Sequence, residues 1–193
     1  MLIDITQELF GCHVYPGDKP PSFERIQSLE DGDACNLTNL AMGAHNGTHV
    51  DAPKHFIKGG KAIDEMDLSL FYGKCTVAAL EGVIDAEKLA PVLAHCHERL
   101  LLKGSCEVSD SGAHALAGSH VKLIGVEGQS VAGTSGPASV HVTLLANEVI
   151  PLEGLALSHV AAGEYILAAF PLNLAGSDGA PVRAVLVEIG GKR

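Results

Sequence analysis

The sequence predicts a layered α/β domain built on a mixed β-sheet. Strand-like segments come first, from residues 1–9 through 35–42, before any helical periodicity sets in. Strands then alternate with helical stretches over the rest of the chain. Val121 to Val126, apolar but for Lys122, reads as a strand buried on both faces. Strands first, then strands alternating with helices, imply a mixed sheet in a layered domain.

Taken in order, residues 1–9 set Leu2, Ile3 and Ile5 against Asp4, Thr6 and Gln7, an alternation that predicts an opening strand. Gly11 to Pro21 is rich in Gly and Pro and holds Tyr15-Pro16-Gly17-Asp18, a strong turn signal. Phe23 to Leu29 and Cys35 to Met42 read as two strands, Ala62 to Leu70 as a short irregular or helical piece, and Cys75 to Leu80 as a strand. Asp85 reads as an N-cap for a helix whose periodicity runs through Leu89, Val92, Leu93 and Leu100, with Pro91 as a candidate first residue. Residues 103–113 read as a polar loop and His114 to Gly118 as a helical turn. Glu127 to Pro137 is a Gly- and Ser-rich loop at a strand end, where sites often sit. Ser139 to Asn147 predicts a helix, Glu148 to Leu152 a strand, and Leu155 to Ala162 another helix. Glu164 to Phe170 and Val182 to Ile189 are strands joined by a loop over 171–181.

No repeat, linker or low-complexity tract divides the 193 residues, so a single domain over 1–193 is expected. An apolar share of 47% argues against disorder. No apolar run approaches the ~18 residues of a membrane span, and the start Met1-Leu2-Ile3-Asp4-Ile5 lacks the positive charge of an export signal. A net charge of -10 with no Trp argues against nucleic acid or an anionic membrane as partner. Five cysteines without a CxxC pair fit structural thiols in a reducing cytoplasm.

The densest chemistry lies in residues 45–55, where His45, His49, Asp51 and His55 all fall on odd positions around Gly47. In an extended segment these four side chains project to one face. Imidazole nitrogen with carboxylate oxygen suits zinc and similar divalent ions. The i, i+4 pair His45 and His49 would also suit a helix, but Gly47, Thr48, Val50 and Pro53 oppose one. Spacing alone therefore offers four candidate ligands and half of a metal site. Tyr15 is a loop aromatic that either packs on a substrate or anchors its own loop. His95-Cys96-His97-Glu98 is rich in ligand types, but consecutive residues of a helix point apart and read as a solvated face.

Residues 45–55, with Tyr15-Pro16-Gly17-Asp18 before them and Gly176-Ser177-Asp178-Gly179-Ala180-Pro181-Val182-Arg183-Ala184 near the end, resemble the cyclase or kynurenine formamidase-like family of metal-dependent hydrolases. The family signature His-x-Gly-Thr-His-x-Asp-x-Pro-x-His is matched at every fixed position. The resemblance implies a swivelling β/α/β domain with a mixed sheet core flanked by helices. It also implies a homodimer or homotetramer, and one or two divalent ions per chain, zinc first with manganese as the alternative. By position, His45, His49 and Asp51 would be ligands, joined by His141 and Glu153, which have the family's twelve-residue spacing. Asp51 and Glu153 would bridge two ions and His55 would be the general acid/base. Tyr15 stands in the early substrate loop, where kynurenine formamidases tend to carry Trp.

The activity so implied is hydrolysis of a small amide, formamide or lactam by a metal-bound hydroxide. The family also holds isatin-type lactam hydrolases and polyketide cyclases, which the motif does not separate. A cyclase or dehydratase using the same metal, and a non-catalytic metal-stabilised binding protein, are the rival readings.

Overall fold

A computed structural model of the chain describes residues 1–189. In chain order it contains β1 (Leu2–Asp4), the hairpin β2 (Ser22–Gln27) and β3 (Leu37–Ala41), β4 (His49–Asp51), β5 (Tyr72–Ala79) and β6 (Gly82–Ile84). There follow α1 (Ala86–Leu93), β7 (Arg99–Lys103), β8 (Cys106–Val108), α2 (Asp110–Ala117), β9 (Leu123–Val126) and α3 (Ser139–Ala146). The chain ends with β10 (Ile150–Glu153), β11 (Gly163–Ala168), β12 (Gly179–Pro181) and β13 (Val185–Glu188).

Nine strands form one mixed sheet in the order β1-β13-β11-β5-β7-β9-β10-β4-β12. Its centre is parallel, β5 to β7 to β9 to β10, and both flanks are antiparallel. This is the mixed α/β architecture expected. The sheet has to curl. β12 lies at one end and β13 beside the other end, yet only Val182, Arg183 and Ala184 separate them in the chain. Three residues reach about 10 Å at most.

Alternation along the central strands builds two cores. Leu100 and Leu102 of β7, with Ile124 and Val126 of β9, pack with Leu89, Ala113, Leu116, Val140 and Leu144 of the three helices. Leu101, Leu123, Ile150 and Leu152 point the other way, into the hollow of the curl, where they join Ile5, Val50, Phe71, Leu167 and Leu186. Gly125 makes room there. A Cβ on it would come within 2.4 Å of Leu101 Cδ2 and 2.8 Å of Leu155 Cδ1.

Several expectations are corrected. The first helix begins at Ala86, five residues before Pro91, because the Asp85 side chain accepts from Lys88 N at 2.9 Å. Pro91 then sits inside the helix near its end and costs one N–H bond. Leu100 to Leu102 are not the end of that helix but the middle of β7. The loop expected over 103–113 holds β8 and the start of α2, capped by Ser109, which accepts from Gly112 N. Leu155 to Ala162 is not a helix: Leu155 bridges Thr6, and Leu155, Leu157 and Val160 all enter the inner core. Their spacing records burial from several directions, not a helical stripe. β12 lies in a stretch expected to be loop, and His95 to Glu98 form the turn between α1 and β7 instead of a helix face.

Candidate metal centre

Only His49 to Asp51 of the 45–55 segment is strand. His45 lies in a turn before it, and Pro53 opens a short 3₁₀ turn, Pro53–His55, after it. The four side chains do converge, but two turns bring His45 and His55 back instead of a continuous alternation. Gly47 takes φ 65°, which favours glycine. Thr48 ties the turn down, since its hydroxyl donates to Gly154 O at 2.5 Å and accepts from Gln7 N at 2.9 Å.

Sheet register supplies the rest. In β10 against β4, Glu153 stands opposite His49; in β12 against β4, Gly179 stands opposite Asp51. Glu153, Asp51 and Asp178 thereby meet from three strands or strand ends. His141 comes from α3, which packs against β10. Burial here is deep: His49 and Asp51 are 1% exposed, Glu153 3% and His141 7%.

Asp51 is the centre of the group. Its Oδ1 lies 2.9 Å from His45 Nδ1 and 3.5 Å from His49 Nε2, and its Oδ2 lies 3.8 Å from His141 Nε2. Glu153 Oε2 is 3.3 Å from His49 Nε2, and its Oε1 is 3.2 Å from His141 Nε2 and accepts from Val131 N at 2.7 Å. His49 Nδ1 donates to Gly47 O at 3.0 Å, which leaves Nε2 to face both carboxylates. Among the described residues the ligand-type atoms form three compact triads, each within 4.8 Å: the more exposed His45-His55-Asp178, and His45-His49-Asp51 and Asp51-His141-Glu153 around Asp51. Asp51 belongs to the last two, so two divalent ions could share it.

One observation tests the fit to a metal. Asp51 Oδ2 is buried and has no hydrogen-bond partner, and neither has His141 Nδ1. A buried carboxylate oxygen without a donor is costly unless a cation meets it. The donors, two carboxylates and three imidazoles, are those zinc and manganese accept. The residues fit a divalent ion.

The electrostatics agree. Burial works against a charged His49, yet Asp51 and Glu153 outweigh it and push its pKa up to about 10. Burial likewise opposes charge on His45 and His141, and is outweighed by Asp51 for the first and Glu153 for the second, so both are raised. For Asp51 burial acts upward, but His45 and His49 hold it well below the usual carboxylate range. His55 differs: burial dominates and lowers it, so its ring is neutral near pH 7. The thiols are unlike these groups, with burial pushing Cys75 up to about 12 and Cys106 to about 11, which suits inert core residues.

A cavity of about 450 Å³ opens on this cluster, a volume suited to a small ligand. Tyr15, Phe56, Gln129 and Ser130 line it along with His45, His49, His55, His141 and Glu153. The Tyr15 hydroxyl also donates to Thr134 O at 3.2 Å, so this side chain both anchors its loop and borders the cavity.

Two residues given no role in the sequence reading stand in the same place. Asp178 Oδ2 is 3.1 Å from His45 Nε2 and 3.1 Å from His55 Nδ1. It lies within the Gly176 to Ala184 stretch that carries the resemblance, which was the available signal. Phe56 stacks on His141 with ring centres 4.6 Å apart, and His55 stacks on His45 at 4.1 Å. Phe56 directly follows His55, and nothing in the local pattern separates it from an ordinary core aromatic. His95 and His97 lie outside the cluster; His97 Nε2 is 3.4 Å from Glu164.

Known proteins resemble the chain over almost all its length. A family model described as "Putative cyclase" matches residues 3–132, a span that includes His45 to His55. Kynurenine formamidase from Bacillus anthracis is 34% identical over 200 residues, covering 95% of this chain and 96% of that protein. Kynurenine formamidase from Salinibacter ruber is 35% identical over 206 residues, covering 96% of each. Among solved structures, a predicted metal-dependent hydrolase from Bacillus stearothermophilus aligns with a TM-score of 0.83 at 27% identity, covering 96% of this chain and 97% of that one.

Proposed function

This chain belongs to the cyclase family, and from that premise we propose that it is a metal-dependent hydrolase of small amides, formamides or lactams, arylformamidase-like in type. The observation that carries the reading is the buried group around Asp51. Three imidazoles and a second carboxylate surround it, and one of its oxygens has no other partner. His45, His49, Asp51, His141 and Glu153 would hold one or two ions, zinc before manganese. Such an ion acidifies water towards neutral pKa and polarises a carbonyl.

The residues of the chain do the rest. His55 is the general acid/base. It borders the cavity, it is neutral near pH 7, and its Nδ1 is engaged by Asp178, leaving Nε2 to take a proton. In amide hydrolysis a water oxygen bonds to the carbonyl carbon and the C–N bond breaks. His55 accepts the water proton and returns it to the departing nitrogen. Tyr15 and Phe56 give the cavity aromatic walls, which favours an N-formyl aromatic amine or a fused aromatic lactam.

A homodimer or homotetramer is part of the same reading. The β2–β3 hairpin exposes Phe23, Ile26, Leu37 and Leu40, an apolar surface of the kind that subunits cover. Five free cysteines fit a reducing cytoplasm.

Elemental analysis of the purified protein, with a panel of N-formyl aromatic amines, cyclic imides and lactams, tests the proposal. Metal should co-purify and turnover should vanish with chelator and return with zinc or manganese. His55→Ala should keep its metal and lose about 10²–10⁴ in kcat. Full activity after exhaustive chelation would overturn the metal reading, and an unimpaired His55→Ala would remove that side chain from the mechanism.

A further inference from the structure

One carboxylate serves two histidines of different duty. Asp178 Oδ2 lies 3.1 Å from Nε2 of His45 and 3.1 Å from Nδ1 of His55. Carboxylate oxygens only accept, so both contacts need hydrogen on those nitrogens. The consequence is specific for each ring. On His45 the other nitrogen, Nδ1, faces Asp51 Oδ1 at 2.9 Å, a contact that carries hydrogen until an ion takes its place. With Nε2 holding the Asp178 bond, Nδ1 is the nitrogen left to give up its hydrogen to a cation beside Asp51 Oδ1. On His55 the lone pair is left at Nε2, where a base needs it. The rings stack at 4.1 Å and 25°, so the two imidazoles are held as a pair.

The backbone around Asp178 is firmly placed. Ala52 N donates to Asp178 O at 2.9 Å, and Lys54 Nζ donates to Gly176 O at 2.8 Å. Gly179 lets the His45 ring lie against the chain, since a Cβ there would come within 2.6 Å of His45 Cε1 and 2.8 Å of Val50 O. Lys54 is engaged at Gly176, and the ion pairs of Asp178 among the described residues are with His45 and His55 alone.

We propose that Asp178 is a positioning residue that sets the tautomers of His45 and His55 together, coupling capture of a divalent ion to readiness of the base. The proposal rests on the metal-hydrolase reading above. A ring that binds an ion through Nδ1 becomes a stronger donor at Nε2, which tightens the same carboxylate that orients His55.

The test uses Asp178→Asn and Asp178→Glu in the full chain. Zinc affinity is read by competition with a chromogenic chelator, ring tautomers by ¹⁵N chemical shifts of His55, and kcat and KM on the best substrate of the panel. Asp178→Asn should bind zinc about 10–100-fold more weakly. Its His55 should shift towards the Nε2–H tautomer, because the new amide can donate to Nδ1. At saturating zinc, kcat should fall with KM little changed, by no more than the ~10²–10⁴ a general base contributes. Asp178→Glu should restore the Nδ1–H tautomer and part of kcat. In a His55→Ala background, Asp178→Asn should still weaken zinc but cost no further kcat. Unchanged zinc affinity and unchanged His55 shifts in Asp178→Asn would overturn the proposal. If the wild-type protein binds neither zinc nor manganese, the functional reading fails, and the His55 shifts of the metal-free variants still decide whether Asp178 orients that ring.

Discussion

Metal uptake by this protein should depend steeply on pH, and the geometry says in which direction. In the metal-free protein His49 Nε2 faces Asp51 Oδ1 at 3.5 Å and Glu153 Oε2 at 3.3 Å, while its Nδ1 is committed to Gly47 O. Burial opposes the charged ring, but the two carboxylates win and raise its pKa to about 10. Near neutral pH the ring therefore holds a proton on the nitrogen an ion would need. Each proton expelled on binding makes the apparent affinity rise tenfold per pH unit, or about 1.4 kcal/mol. His49 alone predicts about 100-fold tighter zinc binding at about pH 8 than at about pH 6. His45 and His141 are raised as well and can only steepen the slope. The same charge has the opposite effect on the metal-free fold. His49 contributes its full stability below its ordinary value of 6.5 and loses it as pH rises through about 10. Asp51, held below its ordinary 3.8, contributes above that value and loses the contribution as the solution becomes strongly acidic. Chelator competition across this range, with an indicator dye in weak buffer to count released protons, measures the slope. A flat affinity, or zinc binding with no proton released, would refute the reasoning.

Two packing predictions follow. Gly154→Ala puts a Cβ within 2.4 Å of Gly47 O at a residue with φ 68°, so it should cost at least ~1–3 kcal/mol and lower metal content by displacing Glu153, read by thermal unfolding and elemental analysis. An unshifted Tm would show that the turn relaxes freely. Leu101→Ala removes a fully buried side chain from the inner core and should lower stability by ~2–5 kcal/mol in urea unfolding, with a loss under 1 kcal/mol meaning that the curl collapses to fill the void.

Where the sequence reading succeeded, the cause was local. Asp85 caps the helix that begins beside it, and the period of Ser139 to Asn147 is that of α3. Leu123 to Val126 is apolar throughout because β9 has helices on one side and the inner core on the other. Where it failed, the cause was distant. Leu155, Leu157 and Val160 resemble a helical stripe but are drawn inward by separate partners, among them Thr6. β12 is three residues long and ends in proline, so it shows no alternation, and it exists because β4 lies beside it.

The candidate site divides along the same line. The sequence by itself determined the α/β class and named the ligand-type residues of 45–55, and the twelve-residue spacing of the family it resembles singled out His141 and Glu153 as candidates among the remaining histidines and acids. Only the tertiary structure decided how these meet. The register of β10 on β4 sets Glu153 against His49, and β12 brings Asp178 to both His45 and His55. Sheet pairing joins residues 100 or more positions apart through backbone bonds that any side chain can make. A short-range pattern can name the groups, but the register that gathers them around Asp51 is settled only when the sheet closes.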